Sequence, residues 1–116
     1  MPIRVLIVDD HVAFRTFVRG LLEADGFDIS GEASDGAQAV EAVEALHPDV
    51  VLLDINLPQL DGFEVARRVS RPGGPKVVLT SSRPASDYGT KLEESPAVAF
   101  LPKNELSGEA LRRLAS

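Results

Sequence analysis

Five short apolar runs, each followed by a segment of helical periodicity, constrain this chain of 116 residues more than any other feature. Residues 3–8 read I-R-V-L-I-V, and residues 50–53, 77–79 and 98–101 repeat the type as V-V-L-L, V-V-L and V-A-F-L. Runs this rich in β-branched and aliphatic residues suit parallel strands covered on both faces. Residues 28–33 are more mixed and suit an edge strand. Between the runs the period changes. Phe14, Phe17, Val18, Leu21 and Leu22 follow helical spacing and predict a helix over 11–25, closed near Gly26. Asp35 and Gln38 form a capping-box-like start to a second helix, whose inner face is Val40, Val43 and Leu46 and which His47 closes before Pro48. A third helix is expected from Gly62 to Pro72, and a weakly patterned fourth over 85–94, interrupted by Gly89. A fifth is expected from Ser107, with Leu106 and Leu111 as a hydrophobic staple. Strict alternation of this kind predicts a single doubly wound α/β domain over 1–116 with helices on both sheet faces.

The absences narrow the chemistry. There is no cysteine, which excludes a disulfide scaffold, a thiolate zinc site and a cysteine nucleophile. No P-loop or G-x-G-x-x-G supports nucleotide binding. The Arg71-Pro72-Gly73-Gly74-Pro75 stretch reads as a rigid turn. A formal charge of −6 argues against direct nucleic-acid binding by this chain. No apolar run approaches membrane-span length and no leader precedes the first strand, so the expectation is a cytoplasmic protein with no membrane contact.

In a doubly wound sheet, ligands sit outside the carboxyl ends of the strands. Four of the five runs end there in a reactive type of residue: Asp9 and Asp10, Asp54, Thr80, and Lys103 two residues past Leu101. Any one aspartate could be a turn former, but the constellation is specific. Three crowded carboxylates repel one another unless a cation sits among them, and an all-oxygen donor set favours a hard ion such as Mg²⁺. His11, at a helix start beside the pair, reads as solvent-facing, and His47 carries no assigned chemistry. A spare carboxylate, a metal, a hydroxyl donor and a lysine are the parts needed to move a phosphoryl group onto an aspartate.

V-L-I-V-D-D, L-L-D-I-N-L-P-Q-L-D-G-F-E, V-V-L-T-S-S and F-L-P-K, in this order, resemble the receiver domain of bacterial two-component response regulators. The resemblance covers essentially the whole chain. It implies a flavodoxin-like five-stranded parallel sheet of order 2-1-3-4-5. Asp54 then stands as phospho-acceptor, taking its phosphoryl group from a sensor histidine kinase. Asp10 stands as direct metal ligand, Asp9 acts mainly through water, and the backbone carbonyl of Asn56 completes the Mg²⁺ shell. Thr80 and Lys103 match the residues that engage the phosphoryl group, and Thr80 with Phe100 the switch pair. Pro58 and Gly62 match the loop after the acceptor. The implied role is a switch of partner binding, of dimerisation on phosphorylation or of an output domain, with no separate substrate turned over.

The chain departs from the family's pattern in places. Pro102 precedes Lys103 and Asn104 follows it, a variation resembling the NarL type, whose output is usually DNA-binding transcription regulation. Ser81 stands where alanine is common and reads as a tolerated small residue. Residues 83–97 are atypical, which puts the fourth helix in question. Two other readings remain open: a magnesium-dependent phosphatase with an aspartyl nucleophile, and a pseudo-receiver that binds partners without phosphorylation. Asn56 stands where such a phosphatase usually carries its second carboxylate. The complete acceptor, acidic pair, hydroxyl and lysine oppose the pseudo-receiver.

Overall fold

The apolar runs become strands because two layers of helices can bury both of their faces. The computed structural model describes residues 2–115 and has β1 (Arg4–Val8), α1 (Val12–Ala24), β2 (Asp28–Ala33), α2 (Gly36–Leu46), β3 (Val50–Asp54), α3 (Gly62–Val69), β4 (Lys76–Ser81), α4 (Lys91–Glu94), β5 (Ala99–Pro102) and α5 (Gly108–Ala115). The five strands form one parallel sheet in the order β2-β1-β3-β4-β5, with β2 at an edge as its mixed composition predicts.

Alternate residues of each strand feed two separate cores. Leu6, Val8, Val51, Leu53, Val77 and Leu79 pack with α2 and α3 residues such as Ala39, Val43, Val65 and Val69. Val5, Ile7, Val50, Leu52 and Val78 pack on the other side with Val18, Leu22, Phe27 and Leu111. Burying one aliphatic side chain is worth about 1.5–3 kcal/mol, so these two layers dominate folding.

Helix starts follow their caps. The Asp35 carboxylate accepts from the Gln38 amide at 2.8 Å, and the Asp61 carboxylate accepts from the Glu64 amide at 3.0 Å. Ser107 accepts from the Ala110 amide at 3.0 Å and starts α5 as expected. His47 ends α2 in the left-handed conformation, with φ 48°.

Two helical expectations are corrected. Phe17 is not on the buried face of α1; it is 63% exposed. A helix turns about 100° per residue, which carries Phe17 well off the face centred on Val18 and Leu22. The helix expected over 85–94 is broken. Ala85–Tyr88 is a single 3-10 turn and α4 is one turn long, separated by Gly89 at φ 54°. Neither piece has a buried residue, so no apolar stripe holds them as one helix. Among the described residues, no helix is long and apolar enough to cross a membrane.

Candidate functional site

The register of the sheet assembles the site. Asp54 is the last residue of β3 and lies directly beside Thr80 on β4, with both side chains buried. Asp9 follows β1 and is fully buried, while Asp10 reaches solvent. The turn after Asp54 is held tightly: the Ile55 amide donates to the Thr80 carbonyl at 2.9 Å, and the Gly62 amide donates to the Ile55 carbonyl at 2.9 Å. Gly62 allows that approach, because a Cβ there would lie 2.5 Å from the Asp54 carbonyl oxygen and 2.7 Å from the Ile55 Cα.

Lys103 is placed by the 3-10 turn Lys103–Glu105 that follows β5. Its Nζ donates to Asp9 Oδ2 at 2.6 Å and lies 3.7 Å from Asp54 Oδ2. The ring of Phe14 from α1 lies beneath it, with Nζ 4.2 Å from the centroid. Asp9, Asp10, His11 and Asp54 each offer one ligand atom, all within 4.8 Å of one another. Three carboxylates against one ammonium leave a surplus negative charge where a divalent cation would neutralise it. Burial pushes the Asp54 carboxyl above its ordinary value; Lys103 opposes this, Asp9 adds to it, the Asn56 amide bond opposes it, and Asp10 adds again. The mostly oxygen donor set therefore fits a hard cation.

The sequence-predicted residues Asp9, Asp10, Asp54, Thr80 and Lys103 thus gather at the carboxyl edge of the sheet. Asn56 contributes its amide, which donates to Asp54 Oδ1 at 3.2 Å. Phe100 stands apart. It pairs in register with Leu79 instead of Thr80, and its ring meets that of Tyr88 at 6.2 Å. The Thr80 hydroxyl donates to the Leu101 carbonyl at 2.6 Å.

Three participants were not read as such from the sequence. His11 is exposed, as expected, yet its Nδ1 lies 3.0 Å from both Asp9 Oδ1 and Asp10 Oδ1. Ser81 is more than a tolerated small residue: its Oγ accepts from the Asn56 Nδ2 at 3.1 Å and from the Arg83 amide at 2.9 Å, and it shares a hydrogen bond with the Tyr88 hydroxyl. Tyr88 also accepts from Asn56 Nδ2, at 2.9 Å. The available signal was compositional, since Tyr88 is the only tyrosine of the chain and lies in the atypical stretch.

Residues 5–115 match the response regulator receiver domain family. The signal receiver domain of NarL from Mycobacterium tuberculosis superposes with a TM-score of 0.86 at 34% identity, covering 98% of this chain and 96% of that one. The virulence-factor transcription regulator BvgA of Bordetella pertussis is 37% identical over 103 residues, which is 88% of this chain and 49% of BvgA. A protein-glutamate methylesterase/protein-glutamine glutaminase of Geobacter metallireducens is 40% identical over 110 residues, 91% of this chain and 32% of that protein. The chain belongs to the response regulator receiver domain family, and its strand order is that of the flavodoxin-like receiver fold. It is a receiver domain of two-component signalling that spans half or less of these two relatives.

Proposed function

We propose that Asp54 accepts a phosphoryl group from a phosphohistidine of a sensor histidine kinase and that the resulting aspartyl phosphate switches the domain's interactions. The observation that carries this reading is one buried carboxylate, Asp54, set beside Thr80 and 3.7 Å from Lys103. An Asp54 oxygen forms the new bond to phosphorus as the bond from phosphorus to the imidazole nitrogen breaks, and the bonding pair stays on that nitrogen. Lys103 is within reach of a phosphoryl oxygen on Asp54 and supplies a compact positive charge to it. Thr80 can offer its hydroxyl once it leaves the Leu101 carbonyl. Asp10, Asp54, the Asn56 carbonyl and, mainly through water, Asp9 would hold one Mg²⁺, which would supply charge that neutralises the phosphoryl oxygens.

On this reading the domain occupies residues 1–116 and works in the cytoplasm as a switch, without a separate substrate. Phosphorylation then drives self-association or an output domain, and DNA-binding transcription control of the NarL type fits the Pro102-Lys103 pair and the likeness to BvgA. The acidic net charge speaks against direct DNA contact by this chain. The phosphatase reading is weaker because Asn56 offers a carboxamide whose Nδ2 is engaged by Ser81 and Tyr88, where a carboxylate would be wanted. The test adds a small phosphomonoester or acetyl phosphate with Mg²⁺. The receiver reading expects one phosphoryl adduct per chain from acetyl phosphate and no multiple turnover of the monoester; sustained turnover of the monoester would replace it with the phosphatase.

A further inference from the structure

Asn56 Nδ2, Ser81 Oγ and Tyr88 Oη form a closed triangle of hydrogen bonds at the rim of the Asp54 site. The three come from different places: the loop after β3, the last residue of β4, and the 3-10 turn that replaces the start of the expected fourth helix. Tyr88 is held there by its ring, edge-on to Phe63 at 5.7 Å and tilted against Phe100 at 6.2 Å. Its hydroxyl is thereby aimed at Asn56. Asn56 directs its NH₂ toward both the Ser81 and the Tyr88 hydroxyls, which fixes the plane of its carboxamide. The same residue's backbone amide donates to the Asp54 carboxylate at 3.2 Å. Asn56 therefore links the tyrosine to the acceptor.

We propose that Tyr88 is a positioning residue that prolongs the life of the phosphoryl group on Asp54 by holding the Asn56 carboxamide against Ser81. This rests on Asp54 being the acceptor. In the loss of the phosphoryl group, a water oxygen bonds to phosphorus while the phosphorus–Asp54 oxygen bond breaks. The bonding pair returns to the Asp54 carboxylate, and the water's proton passes to phosphate or solvent. A carboxamide free to turn can accept a hydrogen bond from that water and align it. One held by its Nδ2 cannot turn its oxygen to that water.

Tyr88→Phe removes the hydroxyl and keeps the ring that packs on Phe63 and Phe100. One neutral hydrogen bond corresponds to about a two- to tenfold change in rate. Wild type, Tyr88→Phe, Asn56→Ala and the double variant are loaded with acetyl phosphate and Mg²⁺, freed of donor, and followed by intact mass. The expected result is two- to tenfold faster decay in Tyr88→Phe and equal decay in Asn56→Ala with and without the second change. Equal lifetimes in wild type and Tyr88→Phe overturn the inference and leave the receiver reading standing. The same acceleration in the Asn56→Ala background also overturns it, because the tyrosine would then act without Asn56. A wild type that takes up no phosphoryl group overturns the receiver reading and this inference together.

Discussion

Thr80 donates its hydroxyl to the main-chain carbonyl of Leu101 at 2.6 Å, so β4 is locked to β5 at the end nearest Asp54. A phosphoryl group on Asp54 must compete with that bond. A neutral hydrogen bond is worth about 0.5–1.5 kcal/mol and one to a charged group about 1.5–3 kcal/mol, so the net preference is about 1 kcal/mol. That shifts a two-state balance about fivefold.

Thr80→Ala is therefore expected to accept a phosphoryl group on Asp54 while losing the response of β5. Beryllofluoride with Mg²⁺ should move the backbone amide signals of residues 99–101 in wild type and leave them nearly still in the variant. Equal movement in both would reject Thr80 as the coupling residue. The variant should also lose about 1 kcal/mol of stability, from the bond to Leu101.

Asp54→Asn should stabilise the fold at neutral pH. Burial raises the Asp54 carboxyl above its ordinary value of 3.8, with Lys103 partly offsetting this. A carboxyl whose folded value exceeds its unfolded one contributes stability that is present below the unfolded value and lost as pH rises through the folded value. Melting curves should show the variant above wild type at pH 7, by about 4–8 °C for each kcal/mol relieved, and the gap closing toward pH 3.8. Mg²⁺ should raise the wild-type Tm more than the variant's. A lower Tm for Asp54→Asn at pH 7 would contradict this electrostatic account.

Phe14 lies under the Lys103 ammonium at 4.2 Å. A cation over an aromatic face gains about 0.5–2 kcal/mol. Phe14→Leu keeps the apolar volume and removes that attraction, so phosphorylation by acetyl phosphate should slow about two- to tenfold with the fold intact. Lys103→Met should slow it further. An unchanged rate in Phe14→Leu would mean that Asp9 alone, at 2.6 Å, places the lysine.

Glu32 on β2 is clasped by two arginines of α1, Arg15 at 3.0 Å and Arg19 at 2.7 Å. Burial pushes its carboxyl up, but hydrogen bonds and charge from Arg19 and Arg15 prevail and hold it below the ordinary 4.5. Such a group contributes stability that is present above the unfolded value and lost as pH falls through the folded one. Glu32→Gln should lower stability at pH 7 by less than about 1 kcal/mol, as for exposed pairs, and should flatten the loss of Tm below pH 4.5. Parallel acid limbs in the two proteins would refute it.

The strands and the residues at their ends were legible because one property, apolar character in short runs, decides both. Val50 to Leu53 suits a covered strand, and Asp54 then emerges at its carboxyl edge. Tyr88 was not legible. Its place depends on the break at Gly89 and on how Phe63 and Phe100 converge, which are relations between distant segments. Ser81 was missed for the same reason, since its hydroxyl acquires meaning only through Tyr88. Phe17 failed differently: helical spacing marks a stripe, and the stripe is wider than the face the sheet covers.

The central claim is that Asp54 is the acceptor, and intact-mass measurement after incubation with acetyl phosphate and Mg²⁺ tests it most directly. Wild type should gain the mass of one phosphoryl group, Asp54→Asn should gain none, and chelating the Mg²⁺ should prevent the gain in wild type. The same adduct on Asp54→Asn, or none on wild type, would contradict the account.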